Sequence, residues 1–102
     1  MRLTRHQIET IRKSATELFG RNTRVWLFGS RVNDMARGGD IDLYIEPQSS
    51  EMDELVNAKL HFLMALHQAL GYQKIDVVIR PANTTEELPI YGIAKKTGIL
   101  LS

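Results

Sequence analysis

Apolar positions along the chain change period several times. Ile8, Ile11, Ala15, Leu18 and Phe19 recur at helical spacing. Thr4, with Gln7 three residues later, has the spacing of a capping box, and Gly20 supplies a stop. After the polar turn Arg21-Asn22-Thr23, the unbroken run Val25-Trp26-Leu27-Phe28 predicts a strand buried on both faces, closed by Gly29-Ser30. Val32 to Arg37 has room for one turn of helix before Gly38-Gly39, and Ile41 to Ile45 predicts a second strand that Pro47 stops. Ser49 and Ser50 offer N-caps for a helix running to Gly71, with Glu51, Asp53 and Glu54 in its first turn, where the helix dipole favours them. Lys74 to Ile79 predicts a third strand closed by Pro81. Thr84 or Thr85 is expected to cap a last segment in which Leu88, Ile90, Tyr91, Ile93 and Ala94 predict a helix that Gly98 ends; Ile99-Leu100-Leu101 reads as an apolar tail.

The order helix, strand, turn, strand, helix, strand, helix predicts an α/β (α+β) fold, a small mixed three-stranded sheet flanked by helices. In the long helix, Met52, Leu55, Val56, Leu60, Phe62, Leu63, Met64, Leu66, Ala69 and Leu70 wrap further round than one core-facing stripe requires. That excess is either deep core or a surface for another chain, a second copy or a different partner.

Composition narrows this picture only slightly. A length of 102 residues is read as a single domain, 1–102, with one core and no room for an elaborate substrate-binding lobe. With 43% hydrophobic and 25% charged residues, no long part is expected to be disordered. A net charge of +1 gives no basic patch of the kind that direct nucleic-acid binding requires. The absence of cysteine excludes disulfides, zinc thiolates and thiol nucleophiles. With no apolar run of membrane-spanning length, a soluble, cytoplasmic protein is expected.

The candidate chemistry is concentrated between Phe28 and Glu46. Strand alternation puts Asp40, Asp42 and Tyr44 on one face and Ile41, Leu43 and Ile45 on the other. Asp76, on the face of its strand opposite Ile75, Val77 and Ile79, adds a third carboxylate to the sheet. Clustered carboxylates repel one another unless a proton or cation intervenes, and magnesium favours carboxylate oxygens together with substrate phosphates. Gly29 removes bulk where a phosphate must approach the backbone, and the Ser30 hydroxyl can donate to phosphate oxygens. Arg31, Arg37 and Lys74 are candidate phosphate contacts, the two arginines being equally readable as solvated loop charges. Asp40, Asp42 and Asp76 are the candidate catalytic and metal-ligating residues. Two magnesium ions held there would bridge a nucleoside triphosphate, and Asp76 would accept or orient the proton of an attacking hydroxyl.

Plainer roles compete with these. An isolated Asp-x-Asp is common on surface strands, and only its combination with Gly29-Ser30 and Asp76 carries weight. Tyr44 and Trp26 are read as packing residues. His61 and His67, six apart, fall on different helix faces rather than at metal-pair spacing. No Gly-x-Gly-x-x-Gly follows a strand and no Walker A sequence is present; a nuclease with clustered aspartates is a distant alternative.

Phe28-Gly29-Ser30-Arg31, Gly38-Gly39-Asp40-Ile41-Asp42-Leu43, Lys74-Ile75-Asp76-Val77-Val78 and Pro89-Ile90-Tyr91-Gly92-Ile93-Ala94 together resemble the minimal nucleotidyltransferases of the DNA polymerase beta-type superfamily. Nine residues separate Ser30 from Asp40, one fewer than is common in that group. The resemblance implies a polymerase beta-like nucleotidyltransferase fold, Gly29 and Ser30 as the triphosphate-binding pair, Asp40 and Asp42 as metal ligands and Asp76 as the third carboxylate. It further implies Mg2+ as cofactor, ATP as substrate and a small helical partner of the HEPN type. The chain would then be the antitoxin of a toxin–antitoxin pair, transferring AMP to a tyrosine of its partner. The same resemblance admits two alternatives: the catalytic subunit of a two-chain transferase for a small molecule, and a noncatalytic antitoxin that neutralises by binding.

Overall fold

The periodicities resolve into α1 (Arg5–Phe19), β1 (Arg24–Phe28), β2 (Ile41–Glu46), α2 (Met52–Leu70), β3 (Ile75–Ile79), α3 (Pro89–Thr97) and β4 (Ile99–Leu100). The structure is a computed structural model that describes residues 3–29, 40–71 and 73–102. The expected turn of helix over Val32 to Arg37 lies outside the described residues.

Local chemistry accounts for most of the boundaries. At the start of α1 the Gln7 amide donates to Thr4 Oγ1 at 3.1 Å and the Thr4 amide donates to Gln7 Oε1 at 2.9 Å, the reciprocal pair of a capping box. Gly20 ends α1, Gly71 ends α2 and Gly98 ends α3. Two expected caps are not caps. The N-cap of α2 is Glu51, with no side-chain hydrogen bond; Ser49 Oγ instead accepts from the Glu51 amide at 3.0 Å and donates to Glu54 at 2.8 Å, bracing the turn before the helix. The N-cap of α3 is Leu88, because Pro89 starts the helix with its fixed φ, while Thr84 closes a local turn to the Glu86 amide.

Among the described residues the sheet has four strands rather than the expected three, in the order β3-β2-β1-β4. The apolar tail is the fourth: Ile99 and Leu100 pair antiparallel with Leu27 and Trp26, and the Leu101 amide donates to the Val25 carbonyl at 2.7 Å. Two residues are too few to carry a period of two, so tertiary pairing alone makes this strand. β1 pairs antiparallel with β2, and β2 parallel with β3 through α2, giving the mixed sheet.

Strand alternation then divides the molecule into two apolar layers. Val25, Leu27, Ile41, Leu43, Ile45, Ile75 and Val77 face α1 and α2, where they meet Ile11, Ala15, Phe19, Leu55, Phe62 and Leu66. The Phe19 and Phe62 rings cross edge to face at 5.4 Å, joining the two helices above the sheet. On the opposite face Trp26 and Tyr44 pack beneath Tyr91 and Ala94 of α3. Tyr44 and Trp26 are thus core, as expected. The wide apolar pattern of α2 divides: Leu55, Phe62 and Leu66 are core, while Met52, Val56, Leu60 and Met64, spaced by four, form one outward ridge and are 57% to 63% exposed. Among the described residues, no helix is long and apolar enough to cross a membrane.

Candidate active site

Strand direction alone gathers the candidate residues. β1 runs out at Phe28 and Gly29 where β2 and β3, being parallel, both begin. The register sets Phe28 opposite Asp42 and Asp42 beside Asp76. Asp40, just before β2, continues the same face as Asp42. The three carboxylates therefore share one end of the face that carries α3.

Burial and mutual repulsion act on the middle one. Asp42 sits between its neighbours, and its carboxyl titrates above the ordinary aspartate value of 3.8. Burial is the largest cause, followed by the charges of Asp76 and Asp40 and a side-chain hydrogen bond with Asp76; Lys74 opposes them. The Lys74 ammonium lies 4.0 Å from Asp40 Oδ2 and 3.9 Å from Asp76 Oδ2.

Gly29 has φ +77°, a conformation that side chains disfavour. A Cβ there would lie 2.2 Å from Asp42 Oδ2, so the room that glycine leaves is filled by the carboxylate of the same site. The sequence suggested room for a phosphate; the structure adds that Asp42 needs it too. Ser30, Arg31 and Arg37 lie outside the described residues.

Further along the same face the sheet is closed by paired charges. The Tyr44 hydroxyl donates to Glu46 Oε2 at 2.7 Å, and Lys95 Nζ reaches the same oxygen at 3.3 Å while lying 5.3 Å above the Trp26 ring. The Tyr44 hydroxyl is held far above the usual tyrosine range, first by burial and then by the bond to Glu46. Arg80 stacks 5.7 Å from the Tyr91 ring and binds Glu87. These pairs fasten α3 and the segment before it over the face and leave the carboxylate end beyond α3. His61 Nδ1 lies 2.9 Å from the Asn57 carbonyl and His67 Nε2 lies 3.1 Å from the Gln73 carbonyl, so both imidazoles are engaged locally, away from the carboxylates.

The donor set suits a hard divalent cation: three carboxylates, no sulfur or imidazole, and a central group whose charge needs compensation. Among the described residues, however, no group of three or more acidic, histidine or cysteine side chains is already drawn together into a metal cage. Asp42 and Asp76 stand side by side in the register, while Lys74 stands beside Asp40 and Asp76. Sequence reasoning read Lys74 as a phosphate contact and missed this position, although the alternation that puts Lys74 two residues before Asp76 already placed both on one face.

A search of curated proteins finds no match to the chain. The family model described as a nucleotidyltransferase domain matches residues 8–101, from within α1 to the residue after β4, and with it the chain belongs to the nucleotidyltransferase domain family of the polymerase beta-type superfamily.

Proposed function

We propose that this chain transfers AMP from ATP to a hydroxyl of a partner protein, the acceptor being a tyrosine of a HEPN-type toxin that the modification silences. The observation that carries the reading is the register that sets Asp42 beside Asp76 at the start of two parallel strands, with Asp40 on the same face and Gly29 against Asp42. Asp40, Asp42 and Asp76 are the residues that would hold magnesium. Bound there, magnesium supplies positive charge to the triphosphate and to the departing pyrophosphate. Asp76 is the most exposed of the strand carboxylates, with 51% of its side chain accessible, and is assigned to receive the proton of the attacking hydroxyl. The hydroxyl oxygen bonds to the α-phosphorus as the bond from that phosphorus to the bridging oxygen breaks, and pyrophosphate leaves. Gly29 and the segment after it, with Ser30 and Arg31, are assigned to the triphosphate.

One feature supports an acceptor on another molecule: the ridge Met52, Val56, Leu60 and Met64 offers apolar surface to a second chain. The test incubates the chain with ATP labelled on the adenine moiety, magnesium and the candidate toxin, with Asp42→Asn in parallel. Label is expected on the partner, falling at least about 100-fold in the variant. Suppression of toxicity by both versions without label transfer would instead establish neutralisation by contact, and label on a small molecule would establish a two-chain transferase.

A further inference from the structure

Lys74 stands at the entrance of β3, and its place is set by the backbone. Its carbonyl accepts from the Ile41 amide at 2.9 Å, pinning it beside the start of β2. The alternation that aims Asp76 at the carboxylate face aims Lys74 there as well. The ammonium comes within 4.0 Å of Asp40 Oδ2 and 3.9 Å of Asp76 Oδ2, so that it bridges two anions, one just before β2 and the other in β3.

Neither contact is tight. The lysine side chain is 70% exposed, and both distances exceed a direct charged hydrogen bond. A strongly hydrated ammonium on a flexible stem is retained there by attraction to two carboxylates together rather than by a bond to either. A magnesium ion held by the same carboxylates would carry twice the charge of the ammonium. Two cations cannot share that space without repulsion, and the exposed, flexible lysine is the one free to move away.

Resting on the reading of this site as a metal-dependent nucleotidyl transfer centre, we propose that Lys74 is its displaceable counter-cation. It balances Asp40 and Asp76 while no divalent ion is present and yields them when one binds. Its charge is then left at the rim, where the polyphosphate arrives. Lys74 is thus a positioning residue with opposite effects on two ligands: it opposes a bare divalent ion and favours one that comes with a triphosphate.

The opposite signs provide the test. Binding of Mn2+ alone, followed by the paramagnetic resonance of the free ion, is compared in the wild type, Lys74→Met, Lys74→Arg and Asp42→Asn. Binding of the magnesium complex of α,β-methylene-ATP is then followed by calorimetry. Lys74→Met is expected to bind bare Mn2+ about two- to fivefold more tightly and the nucleotide complex more weakly by a similar factor, while Lys74→Arg, which keeps the charge, stays near the wild type in both. Unchanged or weakened Mn2+ binding in Lys74→Met overturns the inference, as does unchanged nucleotide affinity. If Asp42→Asn loses Mn2+ while Lys74→Met gains nothing, only the role of Lys74 fails. If the wild type binds no Mn2+, or Asp42→Asn binds it as well as the wild type, the metal-centre reading fails and takes the inference with it.

Discussion

At Gly29 two requirements fall on one residue: a backbone φ of +77°, and an empty position where Asp42 Oδ2 would lie 2.2 Å from any Cβ. Gly29→Ala combines left-handed strain with displacement of the carboxylate, and is expected to cost about 1–2 kcal/mol. Thermal melting should show a fall of about 4–8 °C for each kcal/mol, and the Asp42 side-chain carbon resonance should shift. An unchanged melting temperature would show that Asp42 moves aside freely. The carboxylates themselves are legible in the sequence, because Asp40 and Asp42 alternate with Ile41 and Leu43 in an apolar strand. The contact between Gly29 and Asp42 is not. It depends on the antiparallel register of β1 on β2, which no local pattern specifies.

Among the elements, legibility follows how locally each is determined. α1 can be read from end to end because its capping box and terminal glycine lie within its own sequence. The first residue of α2 differs from expectation because Ser49 turns its hydroxyl to Glu54 and to the Glu51 amide. β4 cannot be read at all, for its two residues are extended only because β1 has a free edge to accept them. Gly98 makes that docking possible: a Cβ would meet the Ala94 carbonyl oxygen at 2.3 Å and the Leu27 carbonyl oxygen at 2.8 Å. Both neighbours are backbone and cannot rotate away. Gly98→Ala is therefore expected to push β4 from β1 at a cost of about 1–3 kcal/mol. Hydrogen exchange should show the Leu101 amide losing its protection while amides inside α2 keep theirs. Retained protection at Leu101 would mean that α3 shifts instead.

For the whole molecule, the sheet keeps one face for stability and gives one end of the other to chemistry. Asp42 links the two. Its carboxyl holds a proton more firmly folded than unfolded, so its ionisation destabilises the fold as pH rises from 3.8 through the raised folded value, and the deficit persists at neutral pH. Asp42→Asn removes that deficit, because the amide carries no charge to be buried or repelled. At neutral pH the variant should melt above the wild type, and the gain should vanish below the ordinary aspartate value of 3.8. A gain that persisted in acid would point to packing instead of charge. The overall architecture is legible because binary patterning specifies layers; the strand order is not, since it is settled only when distant segments pair. That pairing has a consequence for the nascent chain. Asp42 and Asp76 come from strands joined through the whole of α2, and they become neighbours only when β3 docks parallel to β2. A chain that has formed its helices and the β1–β2 hairpin already has much of its hydrophobic layer yet lacks a complete carboxylate cluster. The carboxylate cluster is then completed late in folding, and a ligand meets all three carboxylates together only on molecules that have finished it.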